Sequence, residues 1–288
     1  MSKLPSARPE IRRVLLTGAL GNIGRRVIQG LGADFELVPT DIRCSEEGPE
    51  ILVADLMDFA QVDRLMDGMD AIVHLAVTNA ENRAATDTPG KIDPVDERLL
   101  RVNTTSTFHV LEAARRHGIK RVVYASSMTV LLGDRHRESY DSTTPLEPSN
   151  LYACTKHFGE NLARQSWRNC GLSTICLRIG QPTPVGHLFD DLWQTNKRAR
   201  SWFVEIGDIV RGISCALRTA TPSGVYPLVS ASDNPRVVWQ ETQKAIGYVP
   251  RAYFSDSGLS FHENGDFPVH DGTILTHNPG EEKNRWSK

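Results

Sequence analysis

Two hydrophobic rhythms alternate along the chain. Short apolar runs at 11–16, 35–39, 50–53, 71–75, 121–125 and 172–178 are strand-length, and they predict six buried strands. Between them, apolar positions recur at helical spacing, predicting helices at 25–31, 58–67, 95–117 and 151–167, the third closed by Gly118. Strand–helix alternation of this kind implies a parallel, doubly wound sheet whose ligands lie outside the C-terminal strand ends. The rhythm changes after residue 180. A segment rich in Gly and Pro at 180–184 is expected to break regular structure. Beyond it come a short helix at 187–193, a helix at 208–217 and a strand at 225–229. A further helix is expected to open at Pro235, with Asn234 as its cap, and the tail from 255 onward reads as polar and irregular. The pattern divides the chain into a loose arm (1–10), a nucleotide-binding core (11–180) and a small C-terminal substrate-binding region (181–288) that is interleaved with the core.

The strand ends carry the chemistry. After the first strand come Gly18, Gly21 and Gly24, with Asn22 and Ile23 between the last two, opening a helix. Backbone N–H groups at such a turn, together with the helix dipole, attract a diphosphate. Gly18 suits a tight turn, Gly21 a close approach of the ligand, and Gly24 close packing of helix on strand. A glycine turn is also a common structural device, so the next strand matters. It ends at Asp41, roughly 20 residues on, where an acid binds the adenosine ribose hydroxyls and repels a 2′-phosphate. That favours NAD over NADP, although Arg43 stands nearby. Asp55, followed by Leu56, is placed to meet the adenine amino group or to cap the helix at 58–67. Leu75, Ala76 and Val77 let a cofactor lie against the backbone, while His74 reads as a packed strand residue. Ser127 ends the fifth strand. Tyr152 and Lys156 share a helix face at i, i+4. A free phenol has a pKa of about 10, and a nearby ammonium and an oxidised nicotinamide both favour the phenolate that proton abstraction needs. The fold is therefore expected to be of the Rossmann type, with NAD as cofactor.

Composition narrows the class further. The 288 residues are 40% hydrophobic and 24% charged, with a net charge of −2, and they permit one or two domains. Without a basic tract, no nucleic-acid partner is expected. Without a long apolar run or a signal-peptide pattern, no membrane association is expected and the location reads as cytoplasmic. The five cysteines are scattered and contain no C-x-x-C pair. Neither zinc nor a disulfide framework is expected, and all five read as small buried hydrophobes. The loop at 78–94 is long enough to be functional.

Thr17-Gly18-x-x-Gly21-x-x-Gly24, Asp55-Leu56, Asn103, Ser127 and Tyr152-x-x-x-Lys156 together resemble the extended short-chain dehydrogenase/reductase family, over roughly residues 11–250. Within it, Phe158-Gly159-Glu160-Asn161-Leu162-Ala163-Arg164, Leu177-Arg178-Ile179-Gly180, Ser201-Trp202-Phe203 and Asp271-Gly272-Thr273 are similar to the NAD-dependent uronate dehydrogenases. That resemblance implies oxidation of C1 of a pyranose uronate to a lactone. It implies Tyr152 as base, Lys156 on the nicotinamide ribose, Ser127 on the reacting oxygen and Asn103 in a proton relay, with Ile179 in the cofactor site. It also implies a substrate site from Asn79, Ser127, Met128, Thr129, Gln181 and an Arg for the carboxylate, in a register open among Lys197, Arg198 and Arg200. Met128 and Thr129 depart from the polar Asn and His found there in those enzymes. The helices 95–117 and 151–167 resemble the family's dimer-forming pair, which implies a homodimer or larger homo-oligomer. A nucleotide-sugar epimerase or dehydratase shares all four catalytic residues and is the alternative reading. An NAD-sensing regulator is the third.

Overall fold

The computed structural model describes residues 10–45, 50–78, 92–134, 137–141, 143–183, 199–255, 257–264, 267–268 and 274–275. The arm at 1–9 and the expected helix at 187–193 lie outside these residues.

The core is a seven-stranded sheet in the order β3-β2-β1-β4-β5-β6-β9. Its strands are β1 (Arg13–Thr17), β2 (Glu36–Asp41), β3 (Leu52–Val53), β4 (Ala71–His74), β5 (Arg121–Ser127), β6 (Thr174–Ile179) and β9 (Ser223–Leu228), all paired in parallel. The expected strand at 50–53 shortens to two residues at the sheet edge. Parallel strands need crossover helices, and those helices cover both faces. In β1 the side chains alternate. Val14 and Leu16 join the core under α1 (Asn22–Leu31) and α5 (Ile206–Arg218). Leu15 joins Ile72, Val122 and Tyr124 on the other face, which carries α2 (Phe59–Leu65), α3 (Pro94–Arg116) and α4 (Leu151–Cys170).

Local caps set the helix limits. Asp58, not Asp55, caps α2 by accepting the N–H groups of Ala60 and Gln61. Asp93 caps α3, which begins with a proline. Asn150 caps the start of α4, which runs three residues past the expected end, to Gly171 in the left-handed conformation.

The C-terminal region departs most from expectation. Instead of irregular chain after Gly180, β7 (Gln181–Thr183) pairs in parallel with β8 (Phe203–Glu205). No helix opens at Pro235. Tyr140 and Val237 form a parallel bridge, and Tyr140 N–H donates to the Arg236 carbonyl at 2.6 Å, which holds this segment extended. The next helix is α6 (Gln240–Ile246). Nor is the chain irregular after Ser255. β10 (Ala231–Ser232), β11 (Ala252–Ser255) and β12 (Gly258–Phe261) form a second sheet, and β13 (Phe267–Pro268) pairs with β14 (Ile274–Leu275). Of the cysteines, only Cys176 is fully buried, while Cys44, Cys154 and Cys170 are exposed. Among the described residues, no helix is long and apolar enough to cross a membrane.

Candidate active site

The C-terminal edge of the sheet gathers most of the expected residues. Gly18 has φ +71°, and a Cβ there would lie 2.7 Å from the Ala76 nitrogen. The glycine turn is therefore pressed against the exit of β4, where Leu75 N–H donates to the Thr17 carbonyl and Ala76 N–H to Thr17 Oγ1. A Cβ on Gly24 would lie 2.3 Å from the Gly18 carbonyl oxygen, so the first turn of α1 packs on the turn itself. The first intrahelical bond runs from Arg25 N–H to the Gly21 carbonyl. The N–H groups of Asn22, Ile23 and Gly24 precede it without an intrahelical acceptor, and there is no acidic side chain in that first turn. This cradle suits a dinucleotide diphosphate.

Asp41 ends β2 and is 9% exposed. Its carboxylate accepts Leu20 N–H at 3.0 Å, and it accepts the Arg43 backbone N–H and Nε at 3.2 and 3.3 Å. Asp55 Oδ1 accepts Met57 N–H. The adjacent Leu56 carbonyl accepts from His109 Nδ1 of α3 at 2.9 Å.

On α4, Lys156 is buried and Tyr152 half-buried. Lys156 Nζ donates to the Ala125 carbonyl at 2.7 Å and lies 5.6 Å from the centre of the Tyr152 ring. Burial lowers the ammonium pKa to about 7 and pushes the Tyr152 phenol up to about 12. Ser127 Oγ accepts from Thr129 N–H and Oγ1, which leaves its own proton free to be donated. Met128 beneath it is 2% exposed.

Asn103 acts as a clamp. Its Oδ1 accepts Thr78 N–H, and its Nδ2 donates to the Thr78 carbonyl and to Thr155 Oγ1. It thereby ties the loop after β4 to α4, one turn from Tyr152. Val77 is partly exposed at this loop, Ile179 is buried at the end of β6, and Gln181 is exposed on β7. Asn79, Lys197, Arg198 and Asp271-Gly272-Thr273 lie outside the described residues. Arg200 lies in the short turn Ala199–Trp202 before β8, and its side chain is likewise outside the description.

Two supports escaped sequence reasoning. His74 Nδ1 bonds Thr17 Oγ1 at 2.7 Å and Nε2 bonds Thr107 Oγ1, bracing the turn behind Ala76. Glu160, fully buried one turn past Lys156, accepts Ser126 Oγ and a two-point fork from Arg178. His74 and Arg178 are polar residues within otherwise apolar runs, a signal that marks them as internally satisfied but does not name their partners; Glu160 carries no such signal.

A parallel sheet, a glycine cradle at a helix N-terminus and an acid ending the second strand define a dinucleotide-binding protein of the Rossmann type. Residues 14–188 match the model of the NAD dependent epimerase/dehydratase family. The chain is 31% identical to the uronate dehydrogenase of Pseudomonas putida over 246 residues, 83% of this chain and 84% of that one. It is 30% identical to the L-arabinose 1-dehydrogenase (NAD(P)(+)) of Haloferax volcanii, over 83% of this chain and 96% of that one. Among solved structures, a tyrosine-to-alanine mutant of uronate dehydrogenase from Agrobacterium tumefaciens, complexed with NAD, superposes with a TM-score of 0.68 at 27% identity. That match covers 85% of this chain and 86% of the other. The protein belongs to the NAD dependent epimerase/dehydratase family, and NAD is its cofactor.

Proposed function

We propose that the protein is an NAD-dependent dehydrogenase that oxidises C1 of a monosaccharide, a uronate or a related aldose or sugar acid, to the lactone. The observation that carries this reading is the similarity, over more than four-fifths of the chain, to dehydrogenases named for uronate and for C1 of L-arabinose. Bound NAD supplies the hydride acceptor. In this reading Tyr152 removes the proton of the anomeric hydroxyl, Ser127 donates a hydrogen bond to the same oxygen, and Lys156 supplies positive charge beneath the phenol and binds the nicotinamide ribose. Asn103 holds the Thr78 loop against α4 and is assigned to the proton relay. Asp41 accepts the adenosine ribose hydroxyls and disfavours a 2′-phosphate, and Asp55 and Leu56 meet the adenine. Asn79, Met128, Thr129 and Gln181 line the substrate, with Arg198 or Arg200 on its carboxylate, since a buried unpaired carboxylate is strongly disfavoured. The division at residues 10 and 180, a cytoplasmic location and a homo-oligomer built on α3 and α4 belong to the same reading.

The test is NADH formation across matched uronates and aldoses, alongside a UDP-sugar. Turnover of a free monosaccharide with NAD, and lower efficiency with NADP, is the expected result. Interconversion of the UDP-sugar without net NADH would replace this reading by the epimerase.

A further inference from the structure

The sheet's last strand, β9, leaves a cavity of about 410 Å³ beside α4. Arg164, Trp167 and Arg168 of α4 form one wall, Tyr140 caps it, and Arg178 and Ser223 line the strand side. Its lining includes none of Asn103, Ser127, Tyr152 and Lys156. Arg164 follows Tyr152 by three helical turns, about 18 Å along the axis.

Its chemistry is cationic. Three arginines line it, and the acidic residue in its lining is Asp141. Asp141 Oδ1 is already engaged by Thr143 N–H and by the hydroxyls of Thr143 and Thr144. Arg178 has a side chain only 9% exposed. Its Nε and Nη2 form the fork on Glu160, which leaves Nη1 outside that pair in a residue that lines the cavity. Arg164 uses Nη1 on Asn161 and retains its other donors. Rigid guanidinium donors beside an indole suit a planar or tetrahedral oxyanion on a small body. The volume suits a molecule of monosaccharide size.

We propose that this cavity is a second, non-catalytic binding site for a small oxyanion, a phosphate ester or carboxylate of about sugar size. The sources differ in the acid group alone, so both enter the test.

The experiment is calorimetric titration of the full chain saturated with NADH, using inorganic phosphate, glucose 6-phosphate, gluconate and glucose. The parent binds one oxyanion per chain and does not bind glucose in the same way. Binding of glucose 6-phosphate alone assigns the site to phosphate esters, binding of gluconate alone assigns it to carboxylates, and either result supports the site. Arg164→Gln with Arg168→Gln removes two partly exposed donors and weakens that binding about tenfold or more. NADH affinity and sugar oxidation stay at parental values. No oxyanion binding in the parent, or the same affinity in the double variant, overturns the proposal. Neither result bears on sugar oxidation, which is read separately.

Discussion

At the scale of single residues, the site works against its own burial. The sequence argument, that an ammonium beneath a phenol favours the phenolate, holds for the pair in isolation. Burial is the opposing effect, and spacing alone does not reveal it. It pushes the Tyr152 phenol up to about 12 and draws the Lys156 ammonium down to about 7. In the proposed reading, a cationic nicotinamide bound beside the ring would restore the balance. The Tyr152 phenol is therefore expected to titrate at lower pH with NAD than without it, read as the near-ultraviolet difference between the parent and Tyr152→Phe. Coincident titrations would remove the electrostatic role given to the cofactor. Tyr152→Phe should also lower turnover by about 10² or more while retaining NAD. His74 makes the complementary case. Its burial, with the nearby Lys156 charge, lowers its pKa to about 3, against about 6.5 in the unfolded chain. The unfolded chain takes up a proton there that the native state does not, so stability is lost as pH falls from about 6.5 towards 3. The slope is about 1.4 kcal/mol per pH unit. Denaturant titrations between about pH 6 and pH 4 should show a shallower slope for His74→Gln. An unchanged slope would mean that another group controls acid stability.

At the scale of elements, the glycine turn and β4 act as one unit, because Gly18 touches the Ala76 backbone. Gly18 and Gly171 share a φ of +71°, but a Cβ at Gly171 meets nothing within 4 Å. The two positions separate collision from backbone strain. The left-handed conformation costs a non-glycine residue roughly 1–2 kcal/mol, so Gly171→Ala should lose about that much stability and bind NAD normally. Gly18→Ala adds the collision and should bind NAD at least about tenfold more weakly. Equal NAD binding by the two variants in calorimetry would show that the cradle tolerates displacement. Most elements up to β6 were legible in the sequence because they bury a local apolar pattern between recognisable caps or turns; β3, whose Leu52 and Val53 are exposed, is the exception. Pro235 misled, since the extended backbone there is set by Tyr140, nearly a hundred residues earlier. β7 and β12 were missed for a related reason. Two to four residues of strand are defined by their partner, not by their own periodicity. Ser127, Tyr152 and Lys156 were legible as a spacing, but the bond from Lys156 to the Ala125 carbonyl was not. Asn103 was legible as a residue, but its clamp on Thr78 and Thr155 required the packing of α3 on α4.

At the scale of the whole molecule, the chain after β9 is tied to α5, a helix packed against the main sheet, chiefly by one carboxylate. Asp208, in the first turn of α5, is fully buried. It accepts Ser230 Oγ, the backbone N–H groups of Arg251 and Ala252, and the Arg211 guanidinium. It thereby joins the helix under the main sheet to the segment after β9 and to β11. Two further bonds run the same way. Tyr248 donates its hydroxyl to the Val229 carbonyl, and Thr242 donates to that of Pro227. A region bound through buried hydrogen bonds to the last strand of the sheet should unfold with that sheet, so calorimetry of the parent should show a single transition. Asp208→Asn keeps the volume but turns an amide NH₂ towards donors and leaves Arg211 without its counter-charge. Breaking a buried pair from one side costs about 3 kcal/mol or more. For a chain of this size that lowers the melting temperature by roughly 5 °C. The transition should move as a whole, with NAD still raising it. Two separate transitions, of which only one responds to Asp208→Asn, would show instead that the chain after β9 folds as a unit of its own.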